Sequence, residues 1–280
     1  MSSLSSQKGQ LRQTVDGNLR RLFQRLQFAI EVVTEPVNLG EISLVPGSQL
    51  DRDGFVERNG EGALRFLLKH IVWSVIINGF FSAPFGFGIF GDGEARDRLF
   101  QLYVTWRRLV APDHETTGSQ DGANSQPPTL DFGIFFQDPE ANRWRSSTFA
   151  SIRSSTVNPA MVANSEKVGR EIHGLLSAVT TTVPEEITNK VDEIVSLAGE
   201  MALETGIHES HLGLLMPAPG TSTQIGQEFI DCEDEYTVSR TVESVELGVC
   251  PYFYRVGDGT SDFSTTWVIA RGKVYIKRSP

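Results

Sequence analysis

The sequence predicts an α+β protein, mainly helical through about residue 216, with a C-terminal antiparallel β-sheet of three or four strands. Three observations carry that prediction. Apolar residues recur at 4-3-4-3-4 spacing along residues 10–34, and helical apolar faces return between Pro159 and Met201. Proline followed by acidic residues marks a helix start at Pro184-Glu185-Glu186. After Pro217-Ala218-Pro219-Gly220 the composition turns to Val, Tyr, Ile, Thr and Trp with stretches of period-two alternation.

The chain has 280 residues, enough for an ample core, and its 39% apolar and 21% charged fractions are those of an ordinary globular protein. Net charge is −10, unevenly spread. The first 30 residues hold Lys8, Arg12, Arg20, Arg21 and Arg25 against Asp16 alone, whereas residues 184–246 carry 14 acids against Lys190 and Arg240. This balance argues against nucleic acid as a main partner, because phosphate binding needs a clustered cationic face. Cys232 and Cys250 are too few for a disulfide-built secreted scaffold, although one bridge between them is open. With no usable Asn-x-Ser/Thr sequon and no secretory-type start, a cytoplasmic location is expected.

In chain order, residues 10–34 read as a helix with Val15, Leu19, Leu22, Leu26, Ala29 and Val33 on one stripe, closed by Pro36. Such a helix can pack on its own core or pair with a partner as a coiled-coil seam. Being Arg- and Ser-rich and poor in acids, it also fits a mitochondrial presequence, which makes mitochondria the alternative location. Residues 37–62 are acidic and turn-rich. Asp51-Arg52-Asp53-Gly54 resembles the start of a calcium loop, but Phe55 and Val56 stand where a ligand and the invariant glycine belong.

Ala63–Ala111 admits several readings. Ile71–Gly91 carries no charge and has the length of a membrane span, yet Asn78, Gly79, Pro84, Gly86 and Gly88 break a continuous helix. Gly86-x-Gly88-x-x-Gly91 has dinucleotide-loop spacing without the strand that must lead into it. Asp131-Phe132-Gly133 stands alone, without the other kinase signatures. The stretch reads best as an αα-hairpin around a Phe-rich turn, with Leu99, Leu102, Tyr103, Trp106, Leu109 and Val110 inward and Arg96, Gln101, Thr105 and Arg108 outward.

Residues 112–130 read as a polar loop and 137–157 as irregular, with Arg143-Trp144-Arg145 as a contact point or a partly buried group. A helix from Pro159 to about Thr182 precedes one from Pro184 that buries Val191, Ile194, Val195, Leu197, Ala198 and Met201 and ends at Gly206. Strands follow at Val242–Leu247, Val249–Val256, Thr266–Arg271 and Lys273–Lys277, with a turn at Gly257-Asp258-Gly259. The chain thus divides into N-terminal helices with an apolar hairpin (1–111), a polar and irregular segment (112–157), an acidic helical pair (158–216) and a β region laid on the helices (217–280).

One cluster suggests chemistry. Glu200, Glu204, His208 and His211 would share a stripe if the helix ran on, and two imidazoles with carboxylates a turn away can hold a transition metal. His-Glu-Ser-His is, however, one residue short of the zinc-protease pattern, and solvated histidines near a helix C-terminus are the plain alternative. No cofactor is expected. The expected function is that of a non-enzymatic interaction or assembly protein, with a protein partner or self-association through the first helix. The alternatives are a metal-dependent or small-molecule enzyme using Glu200, Glu204, His208 and His211, and a peripheral membrane protein using the basic helix and the Phe-rich turn.

Overall fold

A computed structural model describes residues 2–39, 49–51, 53–81, 101, 105, 139–154, 159–180, 183–233, 240–242, 244–258, 262 and 265–276, with residues 2–15 as backbone only. The architecture is α+β: helices fill the N-terminal part and strands the C-terminal region. The helices are α1 (Ser2–Thr34), α2 (Pro36–Leu39), α3 (Phe55–Asn59), α4 (Leu64–Ile76), α5 (Pro139–Ser154), α6 (Pro159–Ser177) and α7 (Glu185–Ile207).

The apolar stripe of α1 turns into the protein's own core, where Leu19, Phe23, Leu26, Ala29, Ile30 and Val33 are all buried. The stripe is wider than the predicted seam: Leu22 lies at its margin, while Phe23 and Ile30 lie inside it. That breadth is what a globular helix needs, whereas a two-stranded coiled coil uses a narrow one. Phe23 sits between Trp73 of α4, ring centroids 5.5 Å apart, and Phe253 of the β region at 5.8 Å. It therefore joins the first helix to both halves of the fold.

Leu64–Ile76 is a buried helix, as its apolar run requires, and it ends in a π-turn at Ile77–Phe81. A β-carbon on Gly79 would lie 2.4 Å from Val168 Cγ2 of α6, so the glycine permits this close crossing. Asn164 Nδ2 donates to Gly79 O at 3.0 Å across the same contact. The continuous helical stretch Glu61–Phe81 is long and apolar enough to span a bilayer, but half of its most apolar window is buried within the protein. Phe80, where the Phe-rich turn begins, is buried, while residues 82–91 of that turn, the inward face proposed for the hairpin's second arm and the polar loop lie outside the described residues. Gln101 and Thr105 are helical and exposed, on the side expected of them.

Residues 139–154, expected to be irregular, form α5. Proline and Glu140 start it as helix signals should, but its buried side carries Asn142 and Arg145 along with Phe149, so no apolar period shows in the sequence. α7 packs against α1, α5 and α6. All six residues predicted for its inner face are buried. Gly206 lies in its last turn and does not end it. A β-carbon there would fall 2.1 Å from the Phe149 ring, so close packing explains this glycine.

The strands are β1 (His211–Leu215), β2 (Thr223–Ile225), β3 (Phe229–Asp231), β4 (Arg240–Val242), β5 (Val245–Cys250), β6 (Tyr252–Val256), β7 (Thr266–Ala270) and β8 (Gly272–Ile276). The four strands predicted from alternation correspond to β5–β8, and they pair antiparallel as β5–β8 and β6–β7. They form one bent ribbon whose arms break at Pro251 and Arg271 and thereby feed two sheets, β1-β6-β7 and β4-β2-β3-β8-β5. The second sheet also contains parallel pairs, β2–β3 and β3–β8. At the bend, a β-carbon on Gly272 would lie 2.5 Å from Cys250 O and 2.6 Å from Tyr252 N, so only glycine fits without a shift. The main apolar core draws on α1, α4, α5, α6, α7 and the strands together.

Candidate functional site

The four residues singled out for metal binding separate at the end of α7. The helix stops at Ile207, and His208 leaves it in extended conformation (φ −68, ψ 136), so the stripe does not continue. Glu200 is exposed. Glu204 is engaged by Arg153 of α5 at 2.6 Å. His211 lies in β1, with its ring edge-on to Tyr254 at 5.8 Å. Among the described residues no three His, Cys, Asp or Glu side chains converge to hold a metal ion.

The histidines instead belong to a polar junction where α1, α5, α7, β1 and β6 meet. Its centre is Arg145, buried to 4% exposure although it is a cation. The guanidinium donates to Thr205 O (3.1 Å) and Gly206 O (2.8 Å) through Nη1, and to His208 O (2.8 Å) and Ser210 O (3.0 Å) through Nη2. Asn142 Oδ1 accepts a further bond at 3.2 Å, and the Ser146 hydroxyl donates to Ile207 O. Thr205 O, Gly206 O and Ile207 O are carbonyls that the end of the helix leaves unpaired, His208 O and Ser210 O follow it, and the negative end of the helix dipole supplies the counter-charge. Burial pulls the Arg145 pKa down to about 10, which leaves it cationic at neutral pH.

Around this clamp, Asp16 of α1 pairs with Arg255 Nη1 of β6 at 2.7 Å, and the Arg255 guanidinium lies 4.9 Å over the Trp267 ring. His208 Nδ1 accepts from Ser210 N at 3.1 Å, so a neutral ring there carries its proton on Nε2. Burial lowers the His208 pKa to about 4, with Asp16 opposing and the two arginines assisting. Burial and then Arg145 lower His211 to about 3. Both imidazoles are neutral near pH 7. The buried side-chain polar atoms that make no hydrogen bond, among the described residues, are Asp16 Oδ1, Arg145 Nε, Ser210 Oγ and Arg255 Nε, all in this junction. Ser210 Oγ therefore bonds to neither histidine. The junction's evident work is to tie α1, α5 and the sheet to the end of α7.

Arg145 was visible in the sequence only as part of Arg143-Trp144-Arg145, and Asp16, Ser210 and Arg255 carried no signal. The remaining histidine of the apolar run, His70, donates from Nδ1 to Gly248 O at 2.7 Å, the satisfied core histidine its surroundings predict, with its pKa lowered by burial. His173 is half-buried on α6. Asp51 accepts from the amides of Phe55 and Val56 at the start of α3, so its carboxylate serves a helix end. Asp258 and Asp262 bond within their own turn. Cys232 and Cys250 are unbridged, and burial pushes the Cys232 thiol up to about 12 and Cys250 higher still, which removes thiolate chemistry.

Two surface features remain. A cleft of about 360 Å³ is lined by Asn59, Gly62, Ala63, Arg65, Phe66, Glu233 and Tyr275. Its opposite charges already serve the protein: Arg65 stacks 4.6 Å over Phe66, and Glu233 engages Tyr275. The other feature is the outer face of α1, where Phe28 is 62% exposed in line with the exposed Arg21 and Arg25. Compared with known proteins, the chain matches no family model, no curated protein and no solved structure.

Proposed function

We propose that the chain is a non-enzymatic interaction or assembly protein that docks through the outer face of α1. The observation that carries this reading is Phe28, the most exposed of the large apolar side chains among the described residues. It follows Arg25 by three positions and Arg21 by seven, so the three lie on one stripe of the helix. A large aromatic flanked by arginines has the composition of an interface anchor. The inner stripe is committed to the core, so a partner meets the helix on its other side. A cytoplasmic setting, or a mitochondrial one, is part of the same proposal.

The test places a photoreactive phenylalanine analogue at position 28, with position 166 on the exposed side of α6 as control, and irradiates the full chain in cells. Discrete adducts from position 28 and none from 166 are expected. Failure of position 28 to give any adduct overturns the reading. The peripheral-membrane alternative draws on the same arginines, and it is separated by flotation with anionic vesicles. One exposed phenylalanine supplies too little apolar area to anchor a protein alone, so the chain is expected to stay with the unbound fraction.

A further inference from the structure

Building on that reading, we infer that the partner is a second copy of this chain, with α1 of each copy lying against the acidic stripe of α7 in the other. The argument is charge complementarity between two faces of one molecule. On α1, Arg21 and Arg25 are exposed beside Phe28. On α7, Glu185, Glu186, Asp192 and Glu200 face solvent on the side turned away from the core. Their neighbours are already neutralised, Glu193 by Lys190 at 2.6 Å and Glu204 by Arg153 at 2.6 Å.

The two faces are carried by helices that pack on each other, since α1 lies along α7. A two-fold axis passing between such neighbours lays α1 of each copy on α7 of the other, and every contact is then made twice. Basic meets acidic in both halves of the contact, whereas α7 facing α7 would oppose like charges. Phe28 then provides the apolar centre that a polar-rimmed contact requires. Exposed ion pairs are individually weak, but a doubled set steers the encounter and fixes its register. Screening follows as a signature, because at 1 M salt the Debye length shrinks to about 3 Å.

The experiment is light scattering of the purified full chain after size exclusion, at low and at high salt. The wild-type chain is expected to form a dimer at low salt that dissociates as salt rises. Arg21→Glu/Arg25→Glu and Glu186→Lys/Asp192→Lys should each weaken self-association at least about tenfold, by placing like charges opposite one another. Mixing the two variants should restore both halves of the contact in a heterodimer, one with the wild-type charges and one with the charges exchanged, a rescue that misfolded proteins could not give. Circular dichroism checks that each variant keeps its helices, and Phe28→Ser serves as a second, charge-independent disruption. A wild-type chain that is monomeric at low salt overturns the inference, as does a dimer indifferent to both charge reversals. If the purified chain is monomeric while position 28 still cross-links to another protein, the second copy is excluded and the interaction reading stands.

Discussion

Gly206 and Gly174 both lie within helices, but their surroundings are opposite. A β-carbon on Gly206 would meet the Phe149 ring at 2.1 Å, whereas one on Gly174 meets nothing within 4 Å. Gly206→Ala should therefore destabilise by about 1–3 kcal/mol through overpacking. Gly174→Ala should be neutral or stabilise by up to about 1 kcal/mol through helix propensity. Urea midpoints of the two variants check both signs. Arg145 gives the sharper single-residue test. Arg145→Met removes donors from four carbonyls, and a loss of about 2–4 kcal/mol is expected. Arg145→Lys should restore little of it, since one ammonium cannot reproduce a planar fork that reaches Thr205, Gly206, His208 and Ser210.

At the scale of elements, α1 bears directly on how self-association can be tested. Deleting residues 1–35 would seem to remove an interaction arm, but it also removes Phe23 from between Trp73 and Phe253, along with Leu19, Leu26, Ile30 and Val33 from the core. The 36–280 chain is expected to lose cooperative unfolding, and near-UV circular dichroism against the full chain measures that. Phe23→Ala alone should cost about 3–5 kcal/mol. The same helix shows what was legible in the sequence. Its periodicity gave the element and most of its buried stripe, as it did for α7, and alternation gave the four strands of the bent ribbon. α5 was not legible, because its inner side is built from Asn142 and Arg145 to satisfy the end of another helix. Nor were β1–β4, which are too short or too irregular for alternation to register. The switch of the ribbon between sheets rests on Pro251 and on the close approach at Gly272, and spacing along the chain cannot show that approach. The histidine cluster was legible as a group of residues but not as an arrangement, since the helix ends before His208 and Glu204 is taken by Arg153.

For the whole molecule, the junction makes stability depend on acid. His208 and His211 are held neutral in the fold, with pKa values of about 4 and about 3, and His70 is lowered as well. In the unfolded chain each returns to about 6.5. Above that pH both states carry the same charge on these rings, and their contribution to stability is complete. As the pH falls below it, the unfolded chain takes up protons that the folded one refuses, so stability is lost. With His208 and His211 together, the loss steepens toward about 2.7 kcal/mol per pH unit well below pH 6.5, and it slackens once the folded pKa values are reached. Because these rings sit where α1, α5, α7 and the sheet join, the transition should be global, with helix and tertiary signals lost together. Urea midpoints measured from pH 8 to pH 4.5 provide the check, with a steady fall expected below pH 6.5. His211→Gln, which keeps a polar side chain but cannot titrate, should remove about half of the slope. A midpoint that stays level between pH 7 and pH 5 would show that the two rings are not held neutral by the fold.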